Sequence, residues 1–160
     1  MYVYVWQTQQ LFSRRELGDL RMKGVVVEDG LSLTSFNVAS IMGVEFYAGQ
    51  WSGSEGRSSS SVFTCVLNGR SVYGYVRKFF SVEGDQRPGY ASVTWFGEPS
   101  YPLGSNKLQV VVSGDGRRID RETGCIIRIT TMDPSPVVVE PSGDFYFMMR
   151  QSGYDTTRSI

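Results

Sequence analysis

Aromatic side chains are the residues of this sequence best suited to binding chemistry. The 160-residue chain contains nine Tyr, nine Phe and three Trp. Several of them fall between positions 73 and 101, at Tyr73, Tyr75, Phe79, Phe80, Tyr90, Trp95, Phe96 and Tyr101. A tryptophan at a strand end beside tyrosines can supply the π faces that bind a methylated ammonium group. Trp95, Tyr73, Tyr101 and Tyr75 are therefore the candidate ligand-binding residues. The alternative interpretation places Trp95 in the hydrophobic core.

Catalytic and metal-binding groups are scarce. The sequence has no histidine, which excludes Ser-His-Asp triads, Cys-His pairs and histidine-containing metal sites. The acidic residues lie mostly in turns, where Asp bonds to the local backbone. The stretch SGDGRRID lacks the closing glutamate of a calcium loop and carries two arginines that would repel the cation. We therefore expect no catalytic residues, no cofactor and no metal. An enzyme that uses paired carboxylates is the minor alternative.

Charge balance argues against a simple electrostatic partner. Sixteen basic and sixteen acidic side chains cancel, so binding to nucleic acid would need a local patch. Arg77, Lys78, Arg117 and Arg118 are the candidate basic rim of an aromatic β surface on which bases could stack. Nucleic acid is thus an alternative partner that is not favoured. No apolar run approaches the length of a membrane span, and MYVYVWQTQQ lacks the features of a signal peptide. We expect a soluble intracellular protein without a membrane partner.

Valine-rich runs separated by Gly, Ser, Asp and Asn clusters predict an all-β fold with little helix. The length suits one β-rich domain over residues 1–160, with a flexible Gly/Ser-rich loop at 49–61. Strands are predicted at 1–6, 23–27, 31–36, 44–47, 61–66, 71–80, 90–96, 107–112, 125–130, 136–139 and 145–149. Cys65 and Cys125 lie inside two of these apolar runs, where we expect free, buried thiols.

Local signals define one hairpin and two short helical stretches. Asn68-Gly69 lies between two alternating runs and predicts a type I′ turn, because both positions tolerate a positive φ. SRRELGDLRM predicts a short helical turn with Ser13 as its cap and Glu16 at the capping-box position. SFNVASIMG is interpreted as a loop or as a second brief helical turn.

Alternation along the two aromatic strands predicts which side chains share a face. In the first strand, one face carries Val72, Gly74, Val76 and Lys78, and the other carries Tyr73, Tyr75, Arg77 and Phe79. In the second strand, one face carries Ala91, Val93 and Trp95, and the other carries Tyr90, Ser92, Thr94 and Phe96. One face of each strand is expected to be core.

The two aromatic strands also resemble part of a known family. VYGYVRKFF, a polar loop and GYASVTWF resemble the paired strands of bromo-adjacent homology (BAH) domains. CIIRITTMDPSPVVV, a turn and FYFMMRQSGYDTTR are similar in order and spacing to the late strands of that fold, so that the resemblance covers residues 60–158. It implies a distorted small β-barrel with long loops and no catalytic activity. It also implies a nuclear module that binds histone tails or other proteins in chromatin, or a related module of a mobile-element protein.

The resemblance carries few binding residues onto this chain. In BAH domains that read methyl-lysine, the Trp of the Trp-Phe pair forms a cage wall, which here is Trp95. The aromatic at the start of the preceding strand falls on Val72, with Tyr73 one place away. The following loop offers no cage tyrosine, so that Tyr101 would substitute.

The leading hypothesis is therefore a non-enzymatic, BAH-like module that interacts with a protein or peptide, such as a histone tail. One alternative is a structural subunit of a larger assembly, since interfaces are enriched in Tyr, Trp and Phe. The other is nucleic-acid binding through the aromatic and basic β surface.

Overall fold

The computed structural model describes residues 2–3, 14–24, 33–49, 61–82, 89–97, 108–111, 117–142 and 145–150. Six predictions lie wholly or mostly outside these residues. They are the strands at 1–6 and 23–27, the flexible loop at 49–61, the cap at Ser13, the ligand-binding role of Tyr101 and the end of the BAH-like segment after residue 150.

The described part is mostly β-structure. Its strands are β1 (Tyr2–Val3), β2 (Leu33–Phe36), β3 (Val38–Ile41), β4 (Val44–Tyr47), β5 (Val62–Leu67), β6 (Arg70–Val82), β7 (Tyr90–Trp95), β8 (Leu108–Val111), β9 (Ile126–Arg128), β10 (Val137–Ser142) and β11 (Phe145–Arg150). Its helices are α1 (Arg14–Met22) and α2 (Arg117–Thr123), and a 3₁₀ turn, Ile129–Thr131, follows β9.

The strands form three antiparallel sheets. The central sheet has the order β2-β6-β7-β9, and β5 also pairs with β6. The second sheet has the order β1-β3-β4, and the third has the order β10-β11-β8. This arrangement confirms the predicted β-rich class. No closed barrel is found among the described strands.

The long strand β6 carries a β-bulge that changes the predicted faces. The register of its pairing with β7 shifts between Val76 and Lys78, so that Arg77 is the extra residue. Because of this insertion, Phe79 packs in the same core as Val76. The predictions that Phe79 shares a face with the tyrosines of β6, and that Lys78 shares one with Val76, are therefore wrong.

The central sheet is packed on both faces. Ala91, Val93 and Trp95 of β7 belong to the main core, together with β3, β4 and α2. On the opposite face, Phe96 belongs to a second cluster with Met148, and a third cluster surrounds Leu20 of α1, with Phe80, Val82, Tyr90, Cys125 and Ile126. The faces predicted for β7 are thus confirmed. Both cysteines are free and buried, as predicted.

Of two predictions made from short sequence motifs, one is confirmed and the other is wrong. Asn68 and Gly69 have φ of 52° and 77°, which confirms the predicted hairpin between β5 and β6. The helical turn predicted for SFNVASIMG is wrong. Val38–Ile41 is strand β3, and it pairs with β4 across a turn in which Met42 and Gly43 also have positive φ.

Helix α1 is longer than the predicted short turn. It runs from Arg14 to Met22, and the amides of Lys23 and Gly24 continue its hydrogen bonding to Asp19, Leu20 and Arg21. Gly24 ends it with a φ of 80°. The strand predicted at 23–27 is therefore wrong at its start, and residues 25–27 lie outside the described part. Helix α2 was not predicted.

Candidate functional site

Trp95 lies in the main core of the protein. It is 5% exposed, and its ring meets Phe63 edge-on at a centroid distance of 5.6 Å. The indole Nε1 donates a hydrogen bond of 2.8 Å to the carbonyl oxygen of Gly124. This placement agrees with the alternative interpretation of the strand end, because a buried indole with its N–H bonded presents no free π face to solvent.

The aromatic residues predicted to bind a ligand are not brought together. Tyr73 is buried with Val62 and Phe96 in the second cluster, and Tyr75 packs half-buried against the same group. This cluster lies on the face of the central sheet opposite Trp95. A cage that combines Trp95 with Tyr73 and Tyr75 therefore does not form in this arrangement.

The predicted basic rim is also divided. Arg77 is exposed at the bulge. The Lys78 Nζ lies 3.2 Å from a carboxylate oxygen of Glu16, and the Arg118 Nε lies 3.1 Å from one of Glu122. Arg117 begins α2, and its side chain is outside the described residues. Two of the expected cations are thus already paired with acidic side chains.

A groove lies between α1 and the end of α2. Its volume is about 460 Å³. Arg15, Gly18, Asp19, Met22 and Lys23 form the α1 wall, since residues three and four positions apart share one face of a helix. Residues 120–125 form the opposite wall. Sequence reasoning missed this site, although the capping-box pattern correctly indicated that a helix begins near its α1 side.

Arg15 of α1 and Lys23, the residue that follows the helix, connect the two walls of the groove. The Lys23 Nζ donates to the carbonyl oxygen of Thr123 at 2.8 Å and to both carboxylate oxygens of Asp19 at 3.0 Å. A cation is favourable at Thr123 because the last carbonyls of α2 carry partial negative charge. Arg15 forms an ion pair with Asp120. These contacts fix the separation of the two helices.

Asp19 and Gly124 meet at the base of the groove. The Asp19 carboxylate accepts a hydrogen bond of 2.7 Å from the backbone N–H of Ile126, the first residue of β9. Gly124 has a φ of 83°, and a Cβ at this position would lie 2.0 Å from an Asp19 oxygen. Only glycine satisfies both the backbone conformation and the close approach.

A second polar group attaches α1 to the central sheet. Ser92 donates to the Glu16 carboxylate at 2.7 Å, and the Lys78 Nζ pairs with the same carboxylate. Ser92 and Lys78 face each other on β7 and β6. Glu16 is almost fully buried, so this ionic group is a structural anchor on the face opposite the main core.

The electrostatics of the groove are balanced. Its walls carry three basic and three acidic side chains, Arg15, Lys23, Arg121, Asp19, Asp120 and Glu122. Cys125 also lines it, and burial, followed by the nearby Asp19 charge, raises the pKa of that thiol. The thiol is therefore protonated at neutral pH and is a poor nucleophile and a poor metal ligand. Within the described residues, no group of three or more Cys, Asp or Glu side chains could hold a metal ion.

Neither α1 nor α2, the helices of the described part, has the length and apolar character needed to cross a bilayer. Comparison with protein-family models, curated proteins and solved structures found no match for this chain.

Proposed function

We propose that this chain is a non-enzymatic interaction module that binds a segment of another protein in the groove between α1 and α2. The observation that carries this proposal is the groove itself, with Met22 standing 88% exposed on its α1 wall. Its volume of about 460 Å³ is in the range of ligand-binding clefts. Methionine is a flexible, polarisable side chain that adapts to varied partner surfaces.

The polar groups of the groove support binding more than catalysis. The Asp19 carboxylate is occupied by Lys23 and the Ile126 amide, and Asp120 is paired with Arg15. These contacts hold the two walls of the groove together, so both carboxylates have a structural role there. The Cys125 thiol is protonated because burial raises its pKa.

The resemblance to BAH domains makes the proposal more specific. On that basis we propose that the chain forms a small β-barrel and acts in chromatin in the nucleus. A histone tail is then one partner to test. A module of a mobile-element protein would use the same surface.

The test is a titration of isotope-labelled protein, followed by NMR, with peptides selected from a displayed random library and with unmodified and lysine-methylated histone-tail peptides. We expect saturable shifts at the amides of Gly18, Lys23 and Gly124. A peptide that binds only elsewhere, or no binding peptide at all, contradicts the proposal.

Two methionines provide a matched pair of variants. Met42 is 85% exposed and lies in the β3–β4 turn, outside the groove. Met22→Gln should weaken peptide binding by about tenfold, because it replaces an apolar contact of similar length by a polar one. Met42→Gln should leave the affinity unchanged. Equal effects of the two variants would place the binding surface elsewhere.

A further inference from the structure

We propose that Gly18 is the specificity-determining residue of the groove, where it admits an uncharged, apolar side chain of the partner segment. This inference rests on the proposed function and deepens it. The starting observation is that nothing in the described structure requires a glycine at position 18.

Gly18 differs from the glycines that the fold needs. A Cβ at Gly74 would lie 2.9 Å from the Thr94 carbonyl oxygen, and one at Gly124 would lie 2.0 Å from Asp19. A Cβ at Gly18 would meet nothing within 4 Å, and its φ is not in the left-handed region. Alanine would thus fit at position 18 and would favour the helix more. What the glycine supplies is open space on the wall of the groove.

The surroundings of that space select for an apolar group. Met22 lies one helical turn further along α1 on the same wall, and the protonated Cys125 thiol lies on the opposite wall. Both are polarisable side chains that pack well against hydrocarbon. A leucine or phenylalanine side chain of a partner would therefore find dispersion contacts on two sides of the gap at Gly18.

The charges of the groove select against an ionic group. Lys23 is held by Asp19 and the Thr123 carbonyl oxygen, and Arg15 is held by Asp120. A charged side chain that enters beside Lys23 or Arg15 must either stay without an ionic partner or separate one of these pairs, and both are unfavourable. Arg121 also lines the groove, but it is exposed, and an ion pair at an exposed site contributes little to binding. The equal numbers of basic and acidic side chains on the walls also provide no net attraction for a charged segment.

The experiment uses small probes on the intact protein. N-acetyl amides of leucine, phenylalanine, glutamate and lysine are titrated into labelled protein, and the amides of Gly18 and Gly124 and the indole of Trp95 are followed by NMR. We expect the leucine and phenylalanine probes to shift these signals saturably. We expect the glutamate and lysine probes to bind several-fold more weakly. Charged probes that bind as well as the apolar ones, or apolar probes that do not bind, would overturn the inference.

Substitutions at Gly18 test its role directly. Gly18→Leu should fill the gap and weaken the leucine probe by roughly tenfold, since it replaces the area that the probe would bury. Arg21→Leu is the matched control, because Arg21 is an exposed α1 residue that does not line the groove. Gly18→Ala needs no rearrangement, so this variant should lower the affinity for the leucine probe less than Gly18→Leu does. Its melting temperature should equal or exceed that of the wild type. Unchanged probe affinity in Gly18→Leu would overturn the inference.

The same variants separate this inference from the proposed function. Peptides that bind the groove equally well in wild type and Gly18→Leu would overturn the role of Gly18 and leave the interaction module intact. Apolar probes that bind at Gly18, with no peptide that binds the groove, would support the selectivity of the gap and contradict the interaction module.

Discussion

Trp95 and Gly124, 29 positions apart, are joined by a hydrogen bond from the indole Nε1 to the carbonyl oxygen. Trp95 belongs to the main core, and Gly124 lines the groove. The bond therefore connects the packing of the central sheet to the wall of the candidate binding site. A substitution at either residue should therefore alter the structure around the other.

Trp95→Phe should lower the free energy of unfolding by about 1 to 3 kcal/mol, because it removes buried ring volume and leaves the Gly124 carbonyl without this donor. Equilibrium unfolding in urea measures the effect. Val66→Thr is the control, since Val66 is 58% exposed and should change stability by less than about 0.5 kcal/mol. An equally small effect of Trp95→Phe would show that the indole bond contributes nothing to the fold.

Gly124→Ala should be much more destabilising than Gly69→Ala. Both glycines have positive φ, 83° and 77°, so each variant bears a backbone cost of about 1–2 kcal/mol. The added Cβ meets nothing within 4 Å at Gly69 but lies 2.0 Å from an Asp19 oxygen at Gly124. The difference between the two losses, measured by thermal or urea unfolding, gives the cost of displacing Asp19. Equal losses would contradict the close approach.

The ion pair between Glu16 and Lys78 should show strong coupling in a double-mutant cycle. Lys78→Met leaves the buried Glu16 carboxylate without this cation, and we expect a loss of about 2–4 kcal/mol. This expected loss is smaller than for a fully buried ion pair, because the Lys78 side chain is 17% exposed. Glu16→Gln keeps a partner for Ser92 and should cost less.

The double variant Glu16→Gln with Lys78→Met should lose less than the sum of the single losses, with a coupling of about 1–3 kcal/mol. Urea unfolding of the four proteins gives this value. Additive losses would mean that the two side chains do not stabilise each other.

Stability should fall at high pH because of Cys65. Burial raises the pKa of this thiol from 9.0 to about 12, so the folded protein keeps its proton while the unfolded chain releases it. The contribution of the thiol is complete below about pH 9 and is lost as the pH rises towards 12, by about 1.4 kcal/mol per pH unit.

Urea unfolding of wild type and Cys65→Ala at pH 8, 9, 10 and 11 tests this dependence. The variant should be less stable at pH 8, because it leaves a cavity, but its stability should decline less steeply above pH 9. Parallel curves for the two proteins would show that Cys65 does not titrate differently in the folded and unfolded states.

The β-structure could be predicted wherever local signals agreed with the final pairing. Asn68-Gly69 defined a hairpin by its own backbone preference, and the alternation of β7 continued without interruption. In β6 the same reasoning failed after Val76, because one extra residue, Arg77, reverses every later side chain. A bulge depends on pairing with neighbouring strands, and the letters VYGYVRKFF do not show it.

The groove could not be predicted because its walls are distant in sequence. Asp19 bonds to Ile126 across 107 positions, and Lys23 bonds to Thr123 across 100. Helix α2 follows a Gly-Asp-Gly stretch and contains one buried apolar residue, Ile119, so turn signals outweighed helix signals. Trp95 was ambiguous for a different reason, since the same strand-end indole can face a ligand or a core.

The anchoring of α1 has a consequence for the order in which the chain folds. Its contacts with Lys78, Ser92 and Ile126 close loops of 62, 76 and 107 residues, whereas β5 and β6 meet across a two-residue turn. Contacts between distant residues form only after a larger loss of chain entropy. We therefore expect the hairpins of the central sheet to assemble first and α1 to dock last, so that the groove is completed in the final step of folding.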